Sequence, residues 1–529
     1  MNENGLTFLD RLIGWFSPRL GIMRAAYRTE LRNYDAARVD PSGGNWFPAN
    51  ATPEMTDAPS RDLIRARMRD LERNGDVTEG VIDAFLRNVV GNGFVLEAQA
   101  VSVRGKMLDA VNDRIEELWH DWSKPENCDI TGDCSFGELL EMIVRRWEVD
   151  GEVFILRVVD PDGDGVLPLK LQLLEPDMLA GDIFQYGNRY VFGGIEVDEH
   201  MKAVAYHFRP DPMPYLRDQR VVRYPREYVA HIRSKKRPQQ LRGMPDMAVS
   251  SERIRNVQEY ITNELEAART ASCLTGVVTR EKGGAGMGIG NPRGGRGGDA
   301  AARVEMIQRG LFNYLRPDED VKFPAPGRPN SLASGFVAFL LRMIGMSRGL
   351  SYETVSRDMS QTNYSSHRGG QLEDRKTYVR KQQKLITDFC DRCYEWFLEA
   401  AVLSGKLSLP GFFEDAALRR RMSGHRWSTP GWKWVDPLKE ASGIEKQLLL
   451  GLTTLSEVCG EQGKDWYEVL KQRKEETDAA RELGIELPWF SSQSTTSADE
   501  YDALAKEDDV PPVKKKEEGA KGEEEDGDE

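Results

Sequence analysis

The apolar residues of this chain change their repeat twice, and that ordering constrains the fold more than any other feature. Up to Trp147 they recur at helical spacing. From Glu152 to Phe208 they fall in short β-rich runs, and after Pro245 the helical spacing returns. Helices followed by an antiparallel sheet, then helices again, describe a helix-rich α+β architecture. At 529 residues the chain exceeds one core, so roughly two to four domains or layers are expected.

The first helix reads from a Ser60 cap through Leu63, Ile64, Met68 and Leu71 to Asn74–Gly75. A second carries Val81, Ile82, Phe85 and Val89 and stops at Gly91. A third carries Leu108, Val111, Ile115, Leu118, Trp119 and Trp122, and a fourth spans Phe136–Trp147. Strands are predicted at Glu152–Val159, Leu169–Leu174, Arg189–Phe192, Gly194–Val197 and Ala203–Phe208. Later helices are placed at 246–271 and 335–345, and a long one at 366–404 with Leu385, Phe389, Trp396, Phe397 and Ala400 buried. Trp427–Leu483 reads as mostly helical. The tail from Ser491, rich in Ser, Thr, Lys and Glu, builds no core.

Searches for catalytic constellations return little. The glycine stretch Gly283–Gly298 never meets the dinucleotide-binding spacing, and no phosphate-loop motif occurs, because Gly463–Lys464 is followed by Asp465. Asp160, Asp162, Asp164 and Gly165 resemble the start of a calcium loop. The twelfth position is Leu171 and strands flank the segment, so it reads as a hairpin turn. Cys390 and Cys393 form a lone C-x-x-C within a helical pattern without a second ligand pair. The six histidines show no ligand spacing. No enzyme activity, cofactor or metal is expected.

The N-terminal segment mixes Leu6, Phe8, Leu9, Trp15 and Phe16 with Asp10 and Arg11, which suits a docking arm rather than a secretory signal. The most apolar window, Phe336–Met346, is short and broken by Arg342, so no membrane span is expected. Of the net charge of −14, the residues from Asp499 onward hold −9, leaving −5 for the body. A mildly acidic body does not grip phosphates tightly, though it can let DNA slide past. The one basic cluster, Arg217–Arg242 with Lys235, Lys236 and Arg237 contiguous, reads as a solvated loop and strand edge or as an electrostatic contact surface.

Six segments occur together in one order: Arg65–Asn74 with Val89–Phe94, Trp147–Leu156, Leu171–Asp177, Gly194–Phe208, Tyr352–Arg368 containing Asn363-Tyr364-Ser365-Ser366, and Trp432–Glu440 with Gly451–Leu455. This series resembles the lambda-type portal family of tailed bacteriophages. The resemblance implies a dodecameric ring at a capsid vertex, through which DNA is packaged and ejected. It also implies partners: further copies of the chain, non-specific double-stranded DNA, the terminase large subunit, head-completion or adaptor proteins, and capsid and scaffold proteins.

In that family's terms, residues 1–58 form an arm, 59–245 the wing, 246–273 and 335–350 two stem helices, and 274–334 a clip with the glycine-rich loop. Residues 351–366 form a tunnel loop, 367–424 a long wing helix and its return, 425–490 a crown, and 491–529 an acidic tail. The channel residues implied are Arg357, Asp358, Ser360, Gln361, Thr362, Asn363, Tyr364, Ser365 and Arg368. The sequence His367-Arg368-Gly369-Gly370 departs from the family pattern, because its glycines weaken a helix start. A terminase subunit would need the phosphate loop that is missing, and capsid or tail-tube subunits are not expected to carry Asn-Tyr-Ser-Ser before a long helix.

Overall fold

A computed structural model describes residues 50–160, 163, 165–209, 220–273, 277–280, 319–322, 333–360, 362–432, 437–462 and 466–485. The N-terminal arm, the whole glycine-rich stretch Gly283–Gly298, Gln361 and the acidic tail lie outside these residues. The chain divides into two units, one up to Pro430 and one from Gly431.

The first unit opens on α1 (Pro53–Asn74), which begins seven residues before the Ser60 cap expected from sequence. Thr52 caps it and Pro53 occupies the first turn, where its missing N–H costs nothing. The helix runs through Pro59, giving up one backbone hydrogen bond. Helix α2 (Asp76–Phe85) continues into a π-helical turn, Leu86–Val90, which Gly91 ends at a φ of 53°. Strand β1 (Val95–Ala98) and α3 (Asp109–Trp122) follow, then α4 (Phe136–Asp150). Ser135 and Glu138 close a reciprocal capping box on α4, and Gly151 ends it in the left-handed region.

Strands β2 (Glu152–Val159) and β3 (Leu169–Leu174) fall on the predicted residues and pair antiparallel, so the Asp160–Gly165 segment joins a hairpin. A third strand, β9 (Val229–Arg233), pairs with the other edge of β2. A second, five-stranded antiparallel sheet contains β4 (Gln185–Tyr186), β5 (Arg189–Phe192), β6 (Ile195–Val197), β7 (Ala203–Phe208) and β8 (Val222–Pro225) in that order. Phe154, Leu156, Leu174, Ile195, Tyr206 and Phe208 fill the core these strands share.

A 3₁₀ turn at Asp246–Ser250 leads into α5 (Ser251–Cys273). Strands β10 (Val277–Arg280) and β11 (Glu319–Lys322) pair antiparallel, bracketing the glycine-rich stretch in sequence. Helix α6 (Ala333–Arg348) meets α5 where Tyr260 and Phe336 pack edge to face, their ring centroids 5.4 Å apart. Of the apolar series expected on α5, Ile254 and Val257 are buried, whereas Val249, Ile261 and Leu265 are exposed.

The short helix α7 (Tyr352–Ser356) precedes α8 (Tyr364–Leu385), which starts two residues before the predicted Ser366 and runs through Gly369 and Gly370. Asn363 supplies the cap that offsets those glycines, accepting the Ser366 N–H at 2.8 Å. A π turn, Ile386–Cys390, joins α8 to α9 (Asp391–Leu403). Cys390 and Cys393 are buried there, and burial pushes both thiols well above the usual range. Helix α10 (Ala416–Met422) and strand β12 (His425–Ser428) complete the unit, β12 pairing with β1. A second core gathers Trp119, Trp122, Phe136, Phe397 and Trp427, and the Trp122 indole N–H donates to the Leu169 carbonyl at 2.8 Å.

The second unit contains α11 (Pro437–Leu449), α12 (Leu455–Glu461) and α13 (Trp466–Leu483). Thr454 and Glu457 form a capping box on α12. No helix among the described residues is long and apolar enough to cross a membrane.

Three buried groups make the sheets acid-sensitive. Burial, reinforced by Arg233, pulls the His231 imidazole down to about 3. The Arg223 hydrogen bond is the main cause holding Glu196 down to about 2. Burial would raise Glu152, but Arg242, His231 and the Gly243 N–H outweigh it and hold the carboxylate well below its usual range. As pH falls below 6.5, an unfolded His231 takes up a proton that the folded chain refuses, so stability drops at up to roughly 1.4 kcal/mol per pH unit. The glutamates contribute stability that is whole above about pH 4.5 and is lost as pH falls towards 2. The melting temperature should therefore decline from pH 7 to pH 4. In His231→Phe the limb between pH 6.5 and 4.5 should flatten while the lower limb remains. An unchanged upper limb would contradict this account.

Candidate channel segment

The segment between α6 and α8 is tied down at its start. Gly349 turns the chain at a φ of 66°, and its carbonyl accepts the Thr377 hydroxyl of α8 at 2.9 Å. Asp374, buried on α8, then accepts the Ser351 N–H at 2.7 Å, the Ser351 hydroxyl at 2.7 Å and the Thr354 hydroxyl at 2.6 Å. One carboxylate thus fixes the first turn of α7 against the helix that follows it. The guanidinium of Arg342 lies 4.8 Å from the Tyr352 ring centre, adding a contact back to α6.

Arg357 ends α7 in the left-handed region at a φ of 55°, unusual for a residue with a Cβ. Its backbone N–H donates to the Glu353 carbonyl at 2.8 Å, and its guanidinium reaches Asp83 of α2 at 2.8 Å. Asp358 accepts the Ser360 N–H at 2.9 Å, and contacts with Ser360 hold its carboxyl below the ordinary range. The Thr362 hydroxyl donates to Glu353 at 3.0 Å. Between these anchors, Arg357, Asp358, Met359 and Ser360 are exposed, as are Asn363 and Ser365.

Of the residues expected to line a channel, the structure groups Arg357, Asp358, Ser360, Thr362 and Asn363 in one polar turn. Ser365 and Arg368 stand on the first turns of α8, as does the backbone of Tyr364. Helix α7 and the first residues of α8 occupy half of the expected loop 351–366. Sequence reasoning missed the residues that hold the turn: Asp374, Asp83, Glu353 and Thr377. Asp374 and Asp83 act over 20 or more residues, at a spacing no local pattern reports.

Lys235, Lys236 and Arg237 follow β9 and are exposed. Lys236 pairs with Asp246 at 2.9 Å, and Arg237 donates to the Ala51 carbonyl at 3.0 Å. They do not join the 351–368 turn. Instead Lys235 and Lys236 line a cavity with residues of α8, among them Lys376, Arg380 and Lys384.

Comparison with known proteins decides what frame these features belong to. Residues 40–382 match the family described as phage portal protein, lambda family. The chain belongs to that family. It is 26% identical to the probable portal protein of Halomonas phage phiHAP-1 over 462 residues, covering 85% of this chain and 86% of the relative. Against portal protein B of Escherichia phage lambda the identity is 20%, with 89% and 94% covered. Among solved structures, the neck of an empty gene transfer agent particle is similar at a TM-score of 0.45 and 14% identity, covering 80% of this chain and 98% of that one. Portal proteins are structural rather than catalytic, so membership bears out the non-enzymatic reading of the sequence.

Proposed function

We propose that copies of this portal protein associate side by side into a ring around an axial hole, and that the turn from Arg357 to Asn363 faces that opening. The observation carrying the proposal is the turn itself: polar, exposed at its tip, and held by Asp374 and Asp83 at its flanks. Short hydroxyl, amide and mixed-charge groups touch a duplex backbone transiently without fixing a register. In this reading double-stranded DNA passes through non-specifically during packaging and ejection. The ring docks the terminase large subunit and head-completion proteins, and sits among capsid and scaffold proteins at the vertex.

A ring needs two different patches on each subunit, joined head to tail. Exposed apolar side chains on α5 (Ile261 and Leu265) and α6 (Phe336 and Phe339) support one such patch, and Phe184 with Tyr190 beside β4 and β5 supports another. In this reading α5 and α6 form the stem, the sheets and α8 the wing, β10 and β11 the clip, and α11 to α13 the crown.

Electron microscopy of the purified full-length protein tests this directly. The expected result is rings with a central hole and a density map that puts Asp358 and Ser360 at its edge. A stable monomer at particle-like concentrations, or a map with those residues on the outer rim, would overturn it.

A further inference from the structure

Two cavities in the first unit share a wall. One, of about 630 Å³, lies between the β9–α5 connection and α8. The other, of about 810 Å³, opens beside β7, β9 and α9, and Lys235 and Lys384 line both. Together they form a furrow along one side of α8 and α9. Lys376, Arg380 and Lys384 recur every four residues on that side, about 6 Å apart along the axis, and Arg392 continues the row two turns later. From Lys376 to Arg392 the row extends about 24 Å.

Carboxylates inside the furrow answer only part of this charge. Lys376 pairs with Glu373 at 2.5 Å, Lys384 with Asp388 at 2.6 Å, and Lys236 with Asp246 at 2.9 Å. Arg348 and Lys381 meet Glu148 beneath the floor. Among the described residues, Lys235, Arg380, Lys202 and Arg226 line the furrow without an ion pair, and all four are exposed. Such a concentration of unanswered cations stands out in a body whose net charge is −5.

We infer that this furrow binds the phosphate backbone of a nucleic acid duplex, as a contact separate from the polar turn at 357–363. None of the residues 351–368 lines it, so the inference does not rest on where that turn sits in a ring. The length of the row fits a polyanion: a duplex presents a phosphate every 3.4 Å along each strand, so several fall within reach. The lining argues against a protein partner. A protein interface needs an apolar core, but of the furrow's large apolar side chains Trp147, Tyr206 and Leu241 are buried and Met201 is half-buried, which leaves Val249 as the exposed one. Contacts here are to phosphate alone, so binding has no sequence preference and depends steeply on salt.

The test is fluorescence anisotropy of a labelled duplex of about 30 base pairs with full-length protein across a salt series. Lys235→Glu/Arg380→Glu alters two exposed side chains without ion pairs, which spares the fold. The expected result is at least tenfold weaker binding near 0.1 M salt, with the slope of log affinity against log salt reduced by about two. The comparison variant Arg104→Glu/Lys106→Glu, in the exposed turn before α3, should change affinity less than twofold. Unchanged affinity in the furrow variant, or an equal loss in the comparison variant, would overturn the inference. So would retained duplex affinity with impaired ring assembly in mass photometry, which would assign the furrow to contacts between copies.

Discussion

Glu148→Ala is expected to destabilise the first unit by about 3–5 kcal/mol, the cost of leaving buried cations without their partner. Glu148 is fully buried on α4, and its two carboxylate oxygens meet Arg348 at the end of α6 and Lys381 on α8. Both cations are themselves nearly buried. Arg348 lies over the Phe85 ring at 5.0 Å, and Lys381 lies over the Trp147 ring at 4.0 Å. The nearest other carboxylate, Asp246, is 3.8 Å from Arg348 and 3.9 Å from Lys381. It is already committed to Lys236 at 2.9 Å and to the Ser234 hydroxyl at 2.7 Å. Truncating Glu148 therefore strands charge that Asp246 cannot fully take over.

Urea denaturation of the wild type and variant measures the loss directly. The double variant Glu148→Ala/Lys381→Met, which removes one stranded cation, should recover part of it, because the two side chains couple. A single-variant loss below about 1 kcal/mol would show that the cluster is solvated and holds no helices together. The position of the cluster gives it weight beyond stability. It joins α4, α6 and α8, so it fixes the two helices that flank the 351–363 turn. Weakening it should loosen the frame on which that turn is presented.

How much of this could be read from the sequence follows from the range of each interaction. Strands β2, β3, β5 and β7 were legible because their apolar runs are local and are bounded by turn residues such as Asp160–Gly165. Strands β1 and β12 were not. Each has four residues, and they pair Val95 with Ser428 across most of the unit, so neither carries a strand signal without its partner. Strands β8 and β9 were hidden inside the basic Arg217–Arg242 segment, where Arg223 and His231 look solvated but are answered by Glu196 and Glu152. Ser60 looked like a cap because it precedes an apolar stripe, yet Thr52-Pro53 nucleates the helix earlier. The polar turn at 357–363 was legible by resemblance. Its anchors, Asp374 and Asp83, were not, since a carboxylate on a helix looks the same whether it faces solvent or holds a loop.

The close approach of two glycines leads to the second large effect. Gly151 ends α4 at a φ of 84°, and a Cβ placed there would lie 2.2 Å from the Met244 carbonyl carbon and 2.3 Å from the Pro245 nitrogen. Gly243 faces it, with its own Cβ position 2.3 Å from the Gly151 carbonyl oxygen. These are backbone atoms, which cannot swing aside as a long side chain does. The same stretch presents the Gly243 N–H to Glu152 at 2.7 Å, aligns Arg242 on that carboxylate at 2.7 Å, and leads directly to Asp246. Gly151→Ala must therefore pay for a left-handed residue and also displace a segment that serves two buried ionic clusters.

Gly105 separates those two costs, because its φ is 76° but nothing lies within 4 Å of its Cβ position. Gly105→Ala should lose about 1–2 kcal/mol from backbone conformation alone. Gly151→Ala should lose that amount and a further 1–3 kcal/mol or more from overpacking. Chemical denaturation of both variants beside the wild type reads the difference. Equal losses would mean that residues 243–245 yield freely, and that the α4–β2 corner does not hold the start of α5 in place.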